Sequence, residues 1–253
     1  MHILSFAPLI LLFSLFTPIW PPFATAQNDT LQCMIRFISW KNADPARVAV
    51  ATPAGFLQTN GLQSLRRSRF IPYQGPANFF LLDPATLPAD PPPEEPPPPP
   101  RSLARVRIPP GMRYALVIVF PAPEGSALPY QTLVINDDPE QFPFQSYQFI
   151  NMSRQPVATV FAGERFVLEP GDFRKSDFEG ESTINLLIAV PGREGQDWKL
   201  VYDSFFPVWA EIRNLVFIVN DPDSDRPRVI PRVLSENKGA WEKALKDVPP
   251  SPE

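Results

Sequence analysis

Apolar residues recur along this chain in short blocks of about four to eight, rich in β-branched and aromatic types and closed off by Pro, Gly, Asn or Asp. The blocks predict strands at Cys33–Trp40, Arg47–Thr52, Asn78–Leu82, Tyr114–Phe120, Gln131–Ile135, Tyr147–Ile150, Val157–Phe161, Arg165–Leu168, Ile184–Val190, Lys199–Tyr202, Leu215–Val219 and Arg228–Val233. Many alternate, as Val48 and Val50 do about Ala49, which marks one buried face. Tyr114–Phe120 and Ile184–Val190 are apolar on both faces, the pattern of a strand packed between layers. Helical period is confined to Ala240–Val248, where Trp241 and Leu245 would share one side before the prolines that end the chain.

The blocks also repeat. Ile35-Arg36-Phe37-Ile38-Ser39 is echoed by Tyr147-Gln148-Phe149-Ile150-Asn151, and Arg113 to Val119 by Arg213 to Val219. Between them Gly55-Phe56-Leu57, Ser68-Arg69-Phe70 and Asn78-Phe79-Phe80-Leu81 match Arg165-Phe166-Val167, Ser176-Asp177-Phe178 and Asn185-Leu186-Leu187-Ile188 in the same order. Two copies of one strand-rich module give such a series. The fold expected is all-β: two tandem antiparallel β-sandwich modules, immunoglobulin-like in architecture, from an internal duplication. Module 1 would span 31–138 and module 2 145–238, with a tail over 239–253. The boundary is expected in the acidic stretch Asp137-Asp138-Pro139-Glu140-Gln141. The proline run over 90–100 falls inside module 1, as a polyproline II excursion that either binds a partner or is a tolerated loop.

Residues 1–26 contain no Lys, Arg, Asp or Glu, and Ala24-Thr25-Ala26 supplies small residues after the apolar run. This predicts a secretory signal peptide cleaved after Ala26, hence a secreted or periplasmic protein. The formal charge of -4 gives no basic excess for phosphate backbones, so nucleic acid is not an expected partner. Cys33 is the only cysteine, so no intramolecular disulfide can form, and it is expected as a small buried side chain in the first strand.

Chemistry is sparse. His2 is the only histidine and lies in the leader, which removes Ser-His-Asp, Cys-His and His-based zinc sites from the exported chain. No cofactor or metal is expected. Paired carboxylates could support a histidine-free glycoside hydrolase, with Asp137, Asp138, Glu140, Asp172, Asp177 and Glu179 as candidates in or near turns; the ordinary reading is that they are solvated. Asp221, Asp223 and Asp225 alternate like the opening of a calcium loop, but Arg226 replaces its glycine and Arg232 its closing glutamate, so a polar hairpin is the plainer reading. Trp198, Tyr202 and Trp209, with Phe205 and Phe206, are either sugar-stacking platforms or filling for the core or the seam between modules. Asn28-Asp29-Thr30 and Asn151-Met152-Ser153 match the N-glycosylation tripeptide.

The run Phe149-Ile150-Asn151-Met152-Ser153-Arg154-Gln155-Pro156-Val157-Ala158, followed by Phe166 to Gly171, resembles a strand–turn–strand pattern of uncharacterised exported bacterial β-sandwich proteins. The resemblance implies export and β architecture, and assigns no activity or site residue. The function expected is a non-catalytic binding or structural protein of the cell envelope, with an envelope protein or a polysaccharide as partner. A carbohydrate-binding role through Trp198, Tyr202 or Trp209 and the glycoside hydrolase are the alternatives.

Overall fold

The computed structural model describes residues 30–40, 47–53, 55–59, 62, 64–88, 98–177, 182–192, 197–221 and 228–248. The leader, Asn28, most of the proline run, Glu179, and Asp223, Asp225 and Arg226 of the alternating acidic stretch therefore lie outside the described residues. Sixteen strands fill the rest: β1 Thr30–Ser39, β2 Ala49–Thr52, β3 Gly55–Gln58, β4 Ile71–Pro76, β5 Asn78–Leu82, β6 Ser102–Arg107, β7 Tyr114–Pro121, β8 Tyr130–Asn136, β9 Ser146–Asn151, β10 Val157–Phe161, β11 Glu164–Leu168, β12 Phe173–Asp177, β13 Ser182–Pro191, β14 Trp198–Val208, β15 Ile212–Asn220 and β16 Val229–Asn237. One helix, α1 Lys238–Lys246, follows.

The strands form four sheets of four, ordered β3-β2-β5-β6 and β4-β1-β7-β8 in the first half, β12-β9-β15-β16 and β11-β10-β13-β14 in the second. Adding eight to each strand number of the first half reproduces the second. In both halves the first strand pairs in parallel with the seventh, β1 with β7 and β9 with β15. Each half is thus an all-β sandwich of the same connectivity. Its strand order differs from that of immunoglobulin domains, whose two sheets run ABED and CFG.

Four strands escape the sequence pattern, β3, β4, β6 and β12, and all four are sheet edges. An edge strand needs only one ladder of hydrogen bonds and one buried face, so it tolerates residues that disguise it. β4 carries Pro72, Gly75 and Pro76; β12 reads Phe-Arg-Lys-Ser-Asp with a single buried residue, Ser176.

The layers run outer, inner, inner, outer. Inward residues of β1, β2, β5, β6 and β7, among them Ile35, Phe37, Val50, Leu81, Val106 and Val117, close the first core. Tyr147, Phe149, Phe161, Leu186, Ile188, Val216 and Ile218 are among those closing the second. A third cluster joins the halves: Ile38, Leu116, Ile118 and Phe120 meet Ile150, Leu215 and Phe217 across the two inner sheets, with Ile135 and Phe142 beside them. Side chains of this size contribute about 1.5–3 kcal/mol each when fully buried, which makes this seam a third core rather than a loose contact.

Two expectations change here. Ile184–Val190 is not packed between layers: it lies in the outer sheet, buried only at Ile184, Leu186, Ile188 and Val190, with half-buried residues between them. The strand equivalent in role to β7 is β15, buried on both faces from Arg213 to Ile218. The sequence repeat also slips by one residue at this pair. Ala115, Val117 and Val119 face their own core, whereas Leu215 and Phe217 face the seam. A strand apolar on both sides carries no alternation to fix its register.

Helix α1 begins two residues before the sequence expectation, because the Asn237 side chain caps it by accepting from the Gly239 N–H at 2.9 Å. It docks through Trp241, whose ring lies 5.5 Å from Tyr114 and 6.0 Å from Phe70.

Candidate functional site

The stretch expected as an acidic boundary holds one of the most buried charges in the protein. Asp137 is fully enclosed, and Arg36 on β1 and Arg213 on β15 close on it from the two inner sheets. Glu236, at the end of β16, completes the square. Arg36 donates Nε and Nη2 to Asp137, and Nη1 and Nη2 to Glu236. Arg213 donates Nε and Nη2 to Glu236 Oε2 at 3.0 and 2.7 Å, and Nη2 to Asp137 Oδ1 at 3.0 Å. Its Nη1 donates to the backbone carbonyls of Asp137 and Phe142 at 2.9 Å. Its five bonds match the five N–H groups that a guanidinium offers. Aromatic faces complete the lining: the Arg36 guanidinium carbon is 4.3 Å from the Phe70 centroid, and that of Arg213 is 5.0 Å from both Phe142 and Phe144.

Arg67 is the fifth member and fits worst. Its Nη1 reaches the Ser235 carbonyl at 3.3 Å and its Nε stands 3.6 Å from Glu236 Oε2, but Nε and Nη2 are buried without a hydrogen bond. Three guanidinium groups thus face two carboxylates. Burial pushes Arg67 down to about 10 against the pull of Asp137 and Glu236, with Arg36 and Arg213 adding repulsion. Burial alone would raise Glu236; the hydrogen bond from Arg36 and the charges of Arg67, Arg36 and Arg213 prevail and hold it at about 2.

This cluster brings together the carboxylates that a histidine-free hydrolase would need, but in the wrong chemistry. A general acid must keep a proton near neutral pH. Glu236 does not, and both carboxylates are walled in by arginine and aromatic rings. Asp138 is also buried and accepts from Arg113 Nε at 2.8 Å, while Glu140, Asp172 and Asp177 stay largely at the surface. The reading of these turn acids as solvated therefore fails at Asp137 and Asp138. Nothing in the local sequence marks them, because their partners lie 101 and 76 residues away for Asp137.

A cleft of about 480 Å³ opens in the first half between β1, β3 and β4. Met34, Leu57, Pro72 and Tyr73 give it apolar walls, Gln32, Gln74 and Thr52 give it neutral polar groups, and Arg113, held by Asp138 and Glu140 at 2.8 and 2.6 Å, completes the lining. Cys33 and Tyr73 lie opposite each other across the β1–β4 ladder. Burial pushes both up to about 12, with the Cys33 charge adding to the effect on Tyr73. Both remain protonated, so Cys33 is no nucleophile here. Tyr73 lies across Gly75: a Cβ on that glycine would sit 2.7 Å from the Tyr73 Oη, which itself donates to the Pro76 carbonyl. The ring's position is therefore set by the missing side chain two residues on.

Trp198, Tyr202 and Trp209 do not form one platform. Trp198 is 47% exposed at the start of β14, on the outer face; Tyr202 turns inward against the second core; Trp209 follows the other end of the strand. Eleven residues of extended chain separate the two tryptophans, roughly 30 Å or more. What β14 does expose, beside Trp198, is Leu200 and Phe205, the latter 67% exposed. Asn151, matched to the glycosylation tripeptide, is wholly buried: its Nδ2 donates to the Gln155 and Leu168 carbonyls at 2.9 Å, and its Oδ1 accepts from the Ser153 N–H and hydroxyl. The Asn-x-Ser signature is thus a structural clasp between β9, the turn after it and β11.

No protein-family model matches the chain, and no curated protein matches its sequence. Among solved structures, human GIVD cytosolic phospholipase A2 aligns with 82% of this chain at 10% identity and a TM-score of 0.25, a likeness too weak to carry an argument. The chain spans about a third of that structure, 32% of its length.

Proposed function

We propose that this chain is an exported, non-catalytic binding protein of the cell envelope, and that its ligand seats in the cleft between β1, β3 and β4. The observation that carries the reading is the character of the cleft: about 480 Å³, within the range of small-molecule sites, with apolar walls, neutral amides and titratable groups that stay protonated. Such a lining binds without reacting. With Arg113 already paired to Asp138 and Glu140 and no acid among the described lining residues, the ligand class is a small, neutral, apolar molecule. The four-layer body held by the charged seam would present the cleft on a rigid frame.

The test uses Nile red, an uncharged apolar fluorophore, on the folded mature chain. Saturable binding is expected, and Leu57→Trp, which fills the cleft, should abolish it without lowering the melting temperature. Binding unchanged by Leu57→Trp would refute the cleft as the site. Export is checked by expressing residues 1–253, when the intact mass of the exported product should match a chain that starts at Gln27, and an uncleaved mass would refute it.

A further inference from the structure

The outer face of the second half exposes apolar side chains and two opposite charges in register. Strand registers place its outward residues in rows across the sheet β11-β10-β13-β14. One row reads Val167, Ala158, Ala189, Leu200; the next reads Arg165, Val160, Leu187, Asp203. The interior residues between them, Thr159, Phe161, Ile188 and Leu186, point into the core. Val167 and Leu200 are each more than half exposed. Trp198 and Phe205 extend the apolar area at the two ends of β14. Large apolar residues exposed together on one face mark a candidate interaction surface.

We infer that this face binds a second copy of the chain, face to face about a two-fold axis lying along the strands. That operation sets β11 over the partner's β14 and β10 over its β13. Each row is self-complementary under it. Val167 meets Leu200, Ala158 meets Ala189 and Val160 meets Leu187, each pair occurring twice, as an isologous interface requires. The charges also match. Arg165 at one end of its row falls opposite Asp203 at the other, and neither makes an ion pair within its own chain among the described residues. Phe205 falls over the turn at Gly163, where open space surrounds the missing side chain.

Alanines at the centre let the sheets approach to the usual ~10 Å. The packing repeats what the chain already does inside itself, where the inner sheets meet through their outward faces. Four strands about 4.8 Å apart and some eight residues of β14 give a footprint of roughly 500 Å² per chain. The total of about 1,000 Å² sits at the lower bound of specific interfaces, so association in the micromolar range is expected. This inference does not rest on the cleft, which lies in the other half.

Sedimentation equilibrium of the mature protein over roughly 1–300 µM tests it, since a micromolar dimer dissociates within that span. Wild type should pass from monomer to dimer and stop there. Arg165→Asp or Asp203→Arg alone sets like charges opposite each other twice, and should raise the dissociation constant about 100-fold. The double variant restores opposite pairs and should restore the dimer. A wild type that stays monomeric throughout overturns the proposal, as does a dimer indifferent to both single reversals, or one that the double variant fails to rescue. Circular dichroism melting keeps a folding defect apart from lost association.

Discussion

Replacing Arg213 and Arg67 separately by methionine should move stability in opposite directions, although both guanidinium groups are buried in one cluster. Arg213 spends five hydrogen bonds on two carboxylates and two backbone carbonyls. Truncating it leaves the Asp137 and Phe142 carbonyls without that donor and takes one cation from Asp137 and Glu236. Breaking a buried ion pair from one side costs about 3–5 kcal/mol, and the carbonyls set the upper half of that range as the expectation. Arg67 is the surplus cation. Its fall from 12.5 to about 10 means that the folded surroundings disfavour its charge by about 3 kcal/mol. That fall is already net of the loose ion pair with Glu236 at 3.6 Å, and one hydrogen bond at 3.3 Å stands against it. Methionine keeps most of the buried stem and leaves two guanidinium groups facing two carboxylates, so Arg67→Met should gain about 1–2 kcal/mol. Urea unfolding of the mature protein measures both. A loss for Arg67→Met comparable with that for Arg213→Met would refute the reading of the cluster as over-supplied with positive charge.

Acid should weaken the seam through Glu236. Its folded value of about 2 lies below its ordinary 4.5, so its contribution, about 3 kcal/mol, is whole above pH 4.5 and is lost as pH falls toward 2. Unfolding free energies across that window should fall more steeply in wild type than in Glu236→Gln; equal slopes would remove Glu236 from the account. Asn151→Ala takes the amide donor from the Leu168 carbonyl and the acceptor from the Ser153 N–H, while the Gln155 carbonyl keeps the Ser153 hydroxyl. It should cost about 3 kcal/mol in chemical denaturation, and Asn151→Asp should cost no less because a carboxylate cannot donate to the Gln155 and Leu168 carbonyls. A neutral Asn151→Asp would show that the donor side of the clasp is unimportant.

Local pattern was enough for the strands that are paired on both sides. β1, β2, β5, β7, β9, β10, β13 and β15 announce themselves because both of their ladders and at least one of their faces demand β-branched or aromatic residues. The repeat follows from the same demand made twice on similar sequences. Edge strands such as β4 and β12 meet only half of it, and their Pro, Gly and charged residues read as loop.

What tertiary structure alone decided is every pairing across the seam. Arg36, Arg67, Asp137, Arg213 and Glu236 are ordinary polar residues in sequence, and Arg36 and Glu236 stand 200 positions apart. The buried charge cluster, the outward rows at Val167 and Arg165, and the cleft over Tyr73 arise only when sheets stack. Strand formation depends on neighbours two residues apart, which the chain carries in order, whereas ion pairing and face complementarity depend on distances in space.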